Sequence, residues 1–307
     1  MSLTRREVNG LLFAFLGVFL FSLSLPLTKW AMESFDPLFT ASARPIIAST
    51  IAIPLMIICK VPPVPRRYLR PLLFTTLGGA IGWPVFIALA LQRTTAAHVA
   101  VIAAIMPLVT AIMAVVRTKK KVSWQFWAAS LCGTTLLVIF AISRGGAENG
   151  DITADLLTLC AVLASSYCYV EGAELTQVMP GWQVISWVVV FALPVCIPAS
   201  LIIFATTHDQ HEVTGRAMIG LLAIGASSMY LGFFAWYRGL KDAGTAHGSQ
   251  VQQLQAILTL GWSALMLGEK ITLGMVLISL GVVASVLWAL GSRARSMAVL
   301  NKAPAST

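Results

Sequence analysis

The sequence predicts an all-α integral membrane protein: ten transmembrane helices arranged as two inverted five-helix repeats around a central cavity, with both termini cytoplasmic. Three observations predict it. Of 307 residues, 58% are hydrophobic and only 11% charged, with a mean hydropathy of +0.84, far outside the range of soluble domains. Apolar blocks of about 20 residues, the length a helix needs to cross a bilayer, recur along the chain between short loops. The basic residues are segregated by side, and the two halves of the chain share a register.

The first block, roughly residues 10–30, follows Arg5 and Arg6, runs past signal-peptide length and lacks a small-residue cleavage site, so it reads as a retained helix. The later spans fall at roughly 37–60, 70–91, 95–117, 122–142, 153–176, 182–206, 216–239, 246–267 and 272–291. With the N-terminus inside, fifteen of the 21 Lys and Arg fall on inner segments. Five (Lys29, Arg93, Arg144, Arg216 and Lys270) fall on outer ones, and Arg44 lies within a span. That bias supports an even number of helices with both ends inside. The formal charge of +9 is therefore a topology signal, and no nucleic-acid partner is expected. The five cysteines sit in or beside apolar blocks and read as small core residues.

Ala97-His98 recurs as Ala246-His247, an offset of 149 residues. The same offset pairs Pro45 with Pro194, Thr110 with Thr259 and Lys121-Val122-Ser123 with Lys270-Ile271-Thr272. An odd number of helices per half turns the second half (146–307) upside down relative to the first (1–145). In such inverted repeats the substrate site lies near the midplane between the halves.

The ninth span carries Gln250, Gln252, Gln253 and Gln255. A carboxamide in hydrocarbon without a partner costs on the order of a few kcal/mol, so these side chains face protein, water or a solute. Gln252 and Gln255 share a helical face with Ser249, while Gln250 and Gln253 lie on an adjoining one. Interhelical bonding and a substrate pathway both account for such a stripe. The equivalent positions Val101, Ala103, Ala104 and Met106 in the fourth helix favour a pathway, because packing there needs no glutamine.

His98 and His247 occupy equivalent places at opposite membrane faces and, with Pro107 on the fourth helix, are the gating candidates, solvated helix-start histidines being the plainer alternative. Arg44 lies about 10 Å into its span; it either snorkels or holds a carboxylate, for which Glu33 and Asp36 compete with a substrate. Trp83, Tyr169 and Tyr230 offer rings that can stack on an aromatic solute or simply pack. Gly78, Gly79, Gly82 and Gly225 to Ser228 read as close helix contacts, and Gly133 and Gly281 as packing without polar company.

The run Ala88 to Leu91 through Thr94, Ala97, Pro107 and Leu108, with its counterpart from Gly239-Leu240 and Ala246 to Leu267-Gly268-Glu269-Lys270-Ile271-Thr272, resembles the duplicated unit of EamA-type drug/metabolite transporters. Lys29 and Arg44 match that pattern too. Within the superfamily the chain is most similar to the YddG-type aromatic amino-acid exporters. The resemblance implies alternating access around a cavity walled by helices 1, 3, 4, 6, 8 and 9. The chain departs from the pattern at Arg117 to Lys121, where a Gly-Glu turn is common, and at Ala256, where a proline is common, so strictly symmetric motion is not expected.

The expected function is export of neutral, largely apolar metabolites across the cell inner membrane, aromatic amino acids first. No acidic side chain lies mid-membrane, which points to downhill export without obligatory proton exchange. No cofactor, resident metal or catalytic residue is expected, and the expected partners are the solute and the bilayer, the chain being a monomer or weak homodimer. A broad drug/metabolite exporter is the alternative within transport. An intramembrane serine hydrolase is the alternative outside it, because Gly225-Ala226-Ser227-Ser228 with Ala246-His247-Gly248 resembles pieces of the rhomboid protease signature. Ser227 lies about 18 Å above the helix end where His247 starts the next helix, too far for a nucleophile and its base. A purely structural bundle is disfavoured by the glutamines and Arg44. His208, Asp209, His211 and Glu212 on an outer loop could bind a metal weakly, and read rather as a solvated polar loop.

Overall fold

The computed structural model describes residues 4–94, 99, 102–120, 122–142, 151–207, 212–267 and 273–300, and these form helices and no strand. We label the runs α1 (Arg5–Ala31), α2 (Pro37–Ile58), α3 (Arg66–Thr75, Thr76–Gly82 and Trp83–Leu91), α4 (Met106–Thr118) and α5 (Trp124–Ala141). The second half contains α6 (Ile152–Leu175), α7 (Gly181–Thr207), α8 (Gly215–Ala243), α9 (Thr245–Gln250, Val251–Gln253 and Leu254–Leu267) and α10 (Leu273–Leu300). Among the described residues, seven runs are long and apolar enough to cross a membrane: α1, α2, α3, α6, α7, α8 and α10. α4 and α5 are shorter apolar helices, and α9 is interrupted by a 3-10 turn at Val251–Gln253.

Side chains close the helix starts where backbone N–H groups have no intrahelical acceptor. Thr4 and Glu7 form a reciprocal capping box on α1. Asp36 accepts from Leu38 and Phe39 at the start of α2, where Pro37 takes a position that needs no N–H. Ser123, Asp151 and Thr214 cap α5, α6 and α8. Large apolar side chains such as Ile57, Ile58, Leu201, Ile202 and Leu280 stand exposed around the outside, as a lipid-facing surface requires.

α1 packs along α8 over a seam of small residues. Gly10 meets the backbone of Asp242 and Ala243, Gly17 meets Gly232 and Trp236, and Gly239 meets Ala14. A Cβ on Gly17 would stand 2.9 Å from the Gly232 carbonyl oxygen, so the backbones touch. α3 lies on α6, α2 on α7, α5 on α10 and α4 on α6, while α9 lies against α1. α3 and α8 each contain a π-helical turn, Thr76–Gly82 and Ser227–Leu231. Gly78 and Gly79 let the first of these press against Ala164 and Cys168 of α6. Gly133 corrects one sequence expectation: it has polar company, since a Cβ there would collide with the Gln253 carboxamide and Ser285.

Candidate functional site

A cavity of about 210 Å³ lies between the helices, lined by α1, α2, α3, α4, α6, α8 and α9. It reaches the α1–α2 turn at Met32 and Pro37. α2 contributes Thr40, Ala41 and Arg44, so this helix belongs to the wall along with the six anticipated ones.

Its deep end is aromatic. Phe21, Tyr169 and Phe233 line the cavity, the Phe21 and Tyr169 rings lying within 13° of parallel with centroids 6.3 Å apart. Phe233 meets Phe21 edge-on at 5.1 Å. Beneath them Trp236 and Tyr237 are wholly buried, Trp236 against Phe21 and Tyr169, Tyr237 against Phe233. Edge-to-face and offset rings at such distances pack densely, so the floor is a plug of side chains and excludes water. Further along the same direction, ion pairs tie the helix ends. Asp242 on α8, its carboxylate 5% exposed, accepts from Arg6 of α1 at 3.0 Å and from Arg238 at 2.7 Å. Arg117 at the end of α4 meets Glu171 of α6 at 2.6 Å. One end of the α1–α8 seam is thus packed and ionically tied, while the cavity extends to the other.

The polar groups of the wall are few. Arg44 Nη2 donates to Ser228 Oγ at 3.0 Å and Ser24 Oγ at 3.4 Å, and the Ser24 hydroxyl donates to Ser228 at 3.1 Å. Glu33 and Asp36 are engaged elsewhere, Glu33 with Arg216 at 3.4 Å and Asp36 as the α2 cap. Gln255 lines the cavity with Thr259 and Ser165. Trp83 enters the wall from α3, directly after the π turn.

The glutamines divide between two faces. Gln253 donates to Gln250 Oε1 at 2.7 Å and accepts from Ser285 of α10 at 3.2 Å, so this pair knits α9 to α10 and packs over Gly133. Gln252 is 3% exposed and its carboxamide lies beside the Tyr169 hydroxyl, with no well-aligned hydrogen bond to a described residue at either end. Ser249 is buried and donates to the Ala246 carbonyl. Tyr230 is 1% exposed and exchanges a 2.8 Å hydrogen bond with Ser186, away from the cavity wall. Pro107 is buried at the start of α4, next to the cavity-lining Met106. His247 is half-buried with its ring 4.8 Å from Phe126, and His98 lies outside the described residues. Ser227 Oγ is buried without a hydrogen bond, so it meets no base among the described residues. Among those residues there is no cluster of metal-ligating side chains, and His208, Asp209 and His211 lie outside them.

The structure therefore brings Arg44, Trp83, Tyr169 and Gln255 to one cavity and sets Ser249, Gln252 and Tyr230 behind it or beside it. Sequence reasoning missed Phe21, Ser24, Ser228 and Phe233. A serine mid-span in α1 and another in the small-residue run of α8 are the available signal, and by sequence that run suits packing equally well.

Comparison with known proteins assigns the family. A model of the EamA-like transporter family matches residues 8–143 and again 152–291. The uncharacterized transporter YdeK of Bacillus subtilis (strain 168) is 36% identical over 279 residues, covering 91% of this chain and 96% of that one. Two proteins named S-adenosylmethionine/S-adenosylhomocysteine transporter match about half of the chain. The one from Chlamydia trachomatis serovar L2 is 25% identical over 160 residues (50% of this chain, 49% of that one), and the one from Chlamydia muridarum is 23% identical over 167 residues (52% of each). A solved crystal structure of a protein superposes with a TM-score of 0.76 at 16% identity, covering 91% of this chain and 97% of that one, which shows a shared fold. With both halves matched by the same family model, the chain is a multi-pass membrane protein that belongs to the EamA-like transporter family.

Proposed function

We propose that this transporter exports neutral, largely apolar metabolites, aromatic amino acids first, across the cell inner membrane by alternating access. The observation that carries the reading is the cavity itself: an aromatic floor, a polar patch at Arg44 and Gln255, and a path blocked beyond the floor. Burying a phenyl or indole ring there gains roughly 25 cal/mol per Å² of apolar surface removed from water. In this reading both termini are cytoplasmic, ten helices cross the membrane as inverted halves 1–145 and 146–307, and the cavity faces outward.

The contact pattern supports the inverted halves. α1 on α8 has its counterpart in α6 on α3, α4 on α6 in α9 on α1, and α2–α7 and α5–α10 are each a helix paired with its own equivalent. The two π turns fall at the same 149-residue offset as the sequence matches, ending at Gly82 and Leu231. Opening the opposite side requires the Arg6–Asp242 and Arg117–Glu171 ties to part, because each joins a helix of one half to a helix of the other. No acidic residue stands among the lining residues, which favours downhill export without obligatory proton exchange. A second reading, S-adenosylmethionine or S-adenosylhomocysteine as solute, draws on the names of the half-length matches.

The test is a solute panel in proteoliposomes, containing aromatic amino acids and both adenosyl compounds, run on wild type, Gln252→Leu and Gln255→Leu. Aromatic amino-acid counterflow that persists when the pH gradient is collapsed is the expected result. A folded Gln255→Leu that transports at the wild-type rate would remove that residue from the pathway, slowed transport by a folded Gln252→Leu would extend the pathway behind the lining, and flux of the adenosyl compounds alone would replace the substrate.

A further inference from the structure

We infer that Arg44 is the anchor for a substrate carboxylate, so that the cavity selects organic acids with an apolar body and does not require an α-amino group. This rests on the transport reading above and departs from it in one respect: the solute is recognised through a carboxylate, so apolar monoanions are accepted beside zwitterions. Arg44 projects into the wall about seven residues inside α2, roughly 10 Å from the helix start. A guanidinium at such a depth ordinarily pairs with an acid. Here its partners are two hydroxyls, Ser228 and Ser24, both on Nη2. Nη1 donates to no described residue, and Nε is buried without a hydrogen bond.

The acids that compete for it by sequence are occupied, Glu33 by Arg216 and Asp36 by the start of α2. No aspartate or glutamate lines the cavity from any of the helices packed around it. The cation in this wall is therefore left with a charge that a bound anion neutralises. The Ser228 and Ser24 hydroxyls fix the plane of the guanidinium, which leaves the Nη1 fork for one carboxylate oxygen. The Ser24 hydroxyl can rotate to donate to the other, since Ser228 sends its own proton to the Ile224 carbonyl. Nothing comparable awaits an ammonium group. The groups across the cavity are the neutral Gln255, Ser165 and Tyr169, which can accept from an ammonium but carry no charge to offset its repulsion by Arg44.

The experiment is binding to the purified full-length protein in detergent, by calorimetry, with three probes of one body: phenylalanine, 3-phenylpropionate and phenethylamine. Expected is 3-phenylpropionate within about threefold of phenylalanine and phenethylamine at least about tenfold weaker, the factor a lost charge-assisted contact implies. Arg44→Gln should weaken both acids at least about tenfold without weakening the amine, and Arg44→Lys should restore part of the loss. Phenethylamine binding wild type as tightly as the acids overturns the inference, as does a folded Arg44→Gln that holds both acids at wild-type affinity. If Arg44→Gln does not fold, the wild-type probe series alone decides. If none of the three binds, the aromatic reading fails by itself, and the same comparison of 4-methylpentanoate with isoamylamine decides the carboxylate: acid-selective binding sustains it, and equal or absent binding of the acid overturns it.

Discussion

Gln253 and Gln255 stand two residues apart on α9 and should fail in opposite ways when each is replaced by leucine. Gln253 is 1% exposed, donates to Gln250 and accepts from Ser285. Gln253→Leu removes both bonds and strands the buried Gln250 carboxamide, whose Nε2 already lacks a partner. A neutral hydrogen bond contributes about 1 kcal/mol net, about 0.6 on average between membrane helices, and a stranded buried acceptor costs about 1–3 kcal/mol. The expected loss is therefore about 2–4 kcal/mol of stability, with flux per folded molecule near wild type. Gln255 makes no hydrogen bond to a described residue and lines the cavity, so Gln255→Leu should unfold no more easily than wild type while its flux falls. Unfolding in mixed micelles and initial rates in proteoliposomes, both normalised to folded protein, separate the two. A Gln253→Leu protein as stable as wild type, or a Gln255→Leu protein that is destabilised yet transports normally, would refute this division of the stripe.

Four further outcomes follow from other contacts of the fold. Gly239→Val drives a branched side chain into the backbone of Ala14 and should cost at least about 1–3 kcal/mol, read as a lowered unfolding midpoint. Gly133→Ala meets the Gln253 carboxamide and the Ser285 hydroxyl and should be destabilising in wild type but less so beside Gln253→Ala, which removes the first of the two clashes, a non-additivity that a double-mutant cycle measures. Arg117→Ala leaves the Glu171 carboxylate, 7% exposed, without its partner, and should cost about 1–2 kcal/mol because Arg117 itself is half-exposed; Glu171→Gln in the same chain should recover most of it. The Asp151 carboxyl is held below the usual 3.8 by the backbone N–H of Ala154, then of Thr153, with Arg93 adding to it. Its contribution is then fully present above the ordinary carboxylate pKa and lost as pH falls through the lowered one, so Asp151→Asn should flatten the acid limb of stability against pH.

The helical architecture was legible because hydropathy reports solvent, and the solvent here is lipid: the long apolar blocks became α1, α2, α3, α6, α7, α8 and α10 with boundaries within about five residues, except that α10 continues to Leu300, past the expected end at 291. Less legible was the interruption of single helices. Gly78, Gly79, Gly82 and Gly225 to Ser228 read as small-residue packing, and such residues do allow the contacts of Gly78 and Gly79 with α6, while the π turns at Thr76–Gly82 and Ser227–Leu231 leave no such mark. A π turn, however, is set by which carbonyl each N–H finds in the packed molecule, and hydropathy carries no trace of that choice. The 3-10 turn at Val251–Gln253 was hidden for the same reason.

At the site, periodicity went further than expected in one respect and less far in another. A rotation of 100° per residue separated Gln250 and Gln253 from Gln252 and Gln255, and the structure sends the first pair to α10 and Gln255 to the cavity. The same geometry says nothing about what faces a given stripe, so Gly133 looked apolar in company until α5 and α9 were side by side. Arg44 was visible as an anomaly, and its two readings turned on the whereabouts of Glu33 and Asp36, the first set by a tertiary contact with Arg216 and the second by the local cap of its own helix. Once Arg216 and the α2 cap account for those carboxylates, the charge on Arg44 has two hydroxyls and an open cavity before it. Hydroxyls orient a guanidinium but cannot neutralise it, and in a wall without acids that remaining charge is the strongest chemical preference the cavity has.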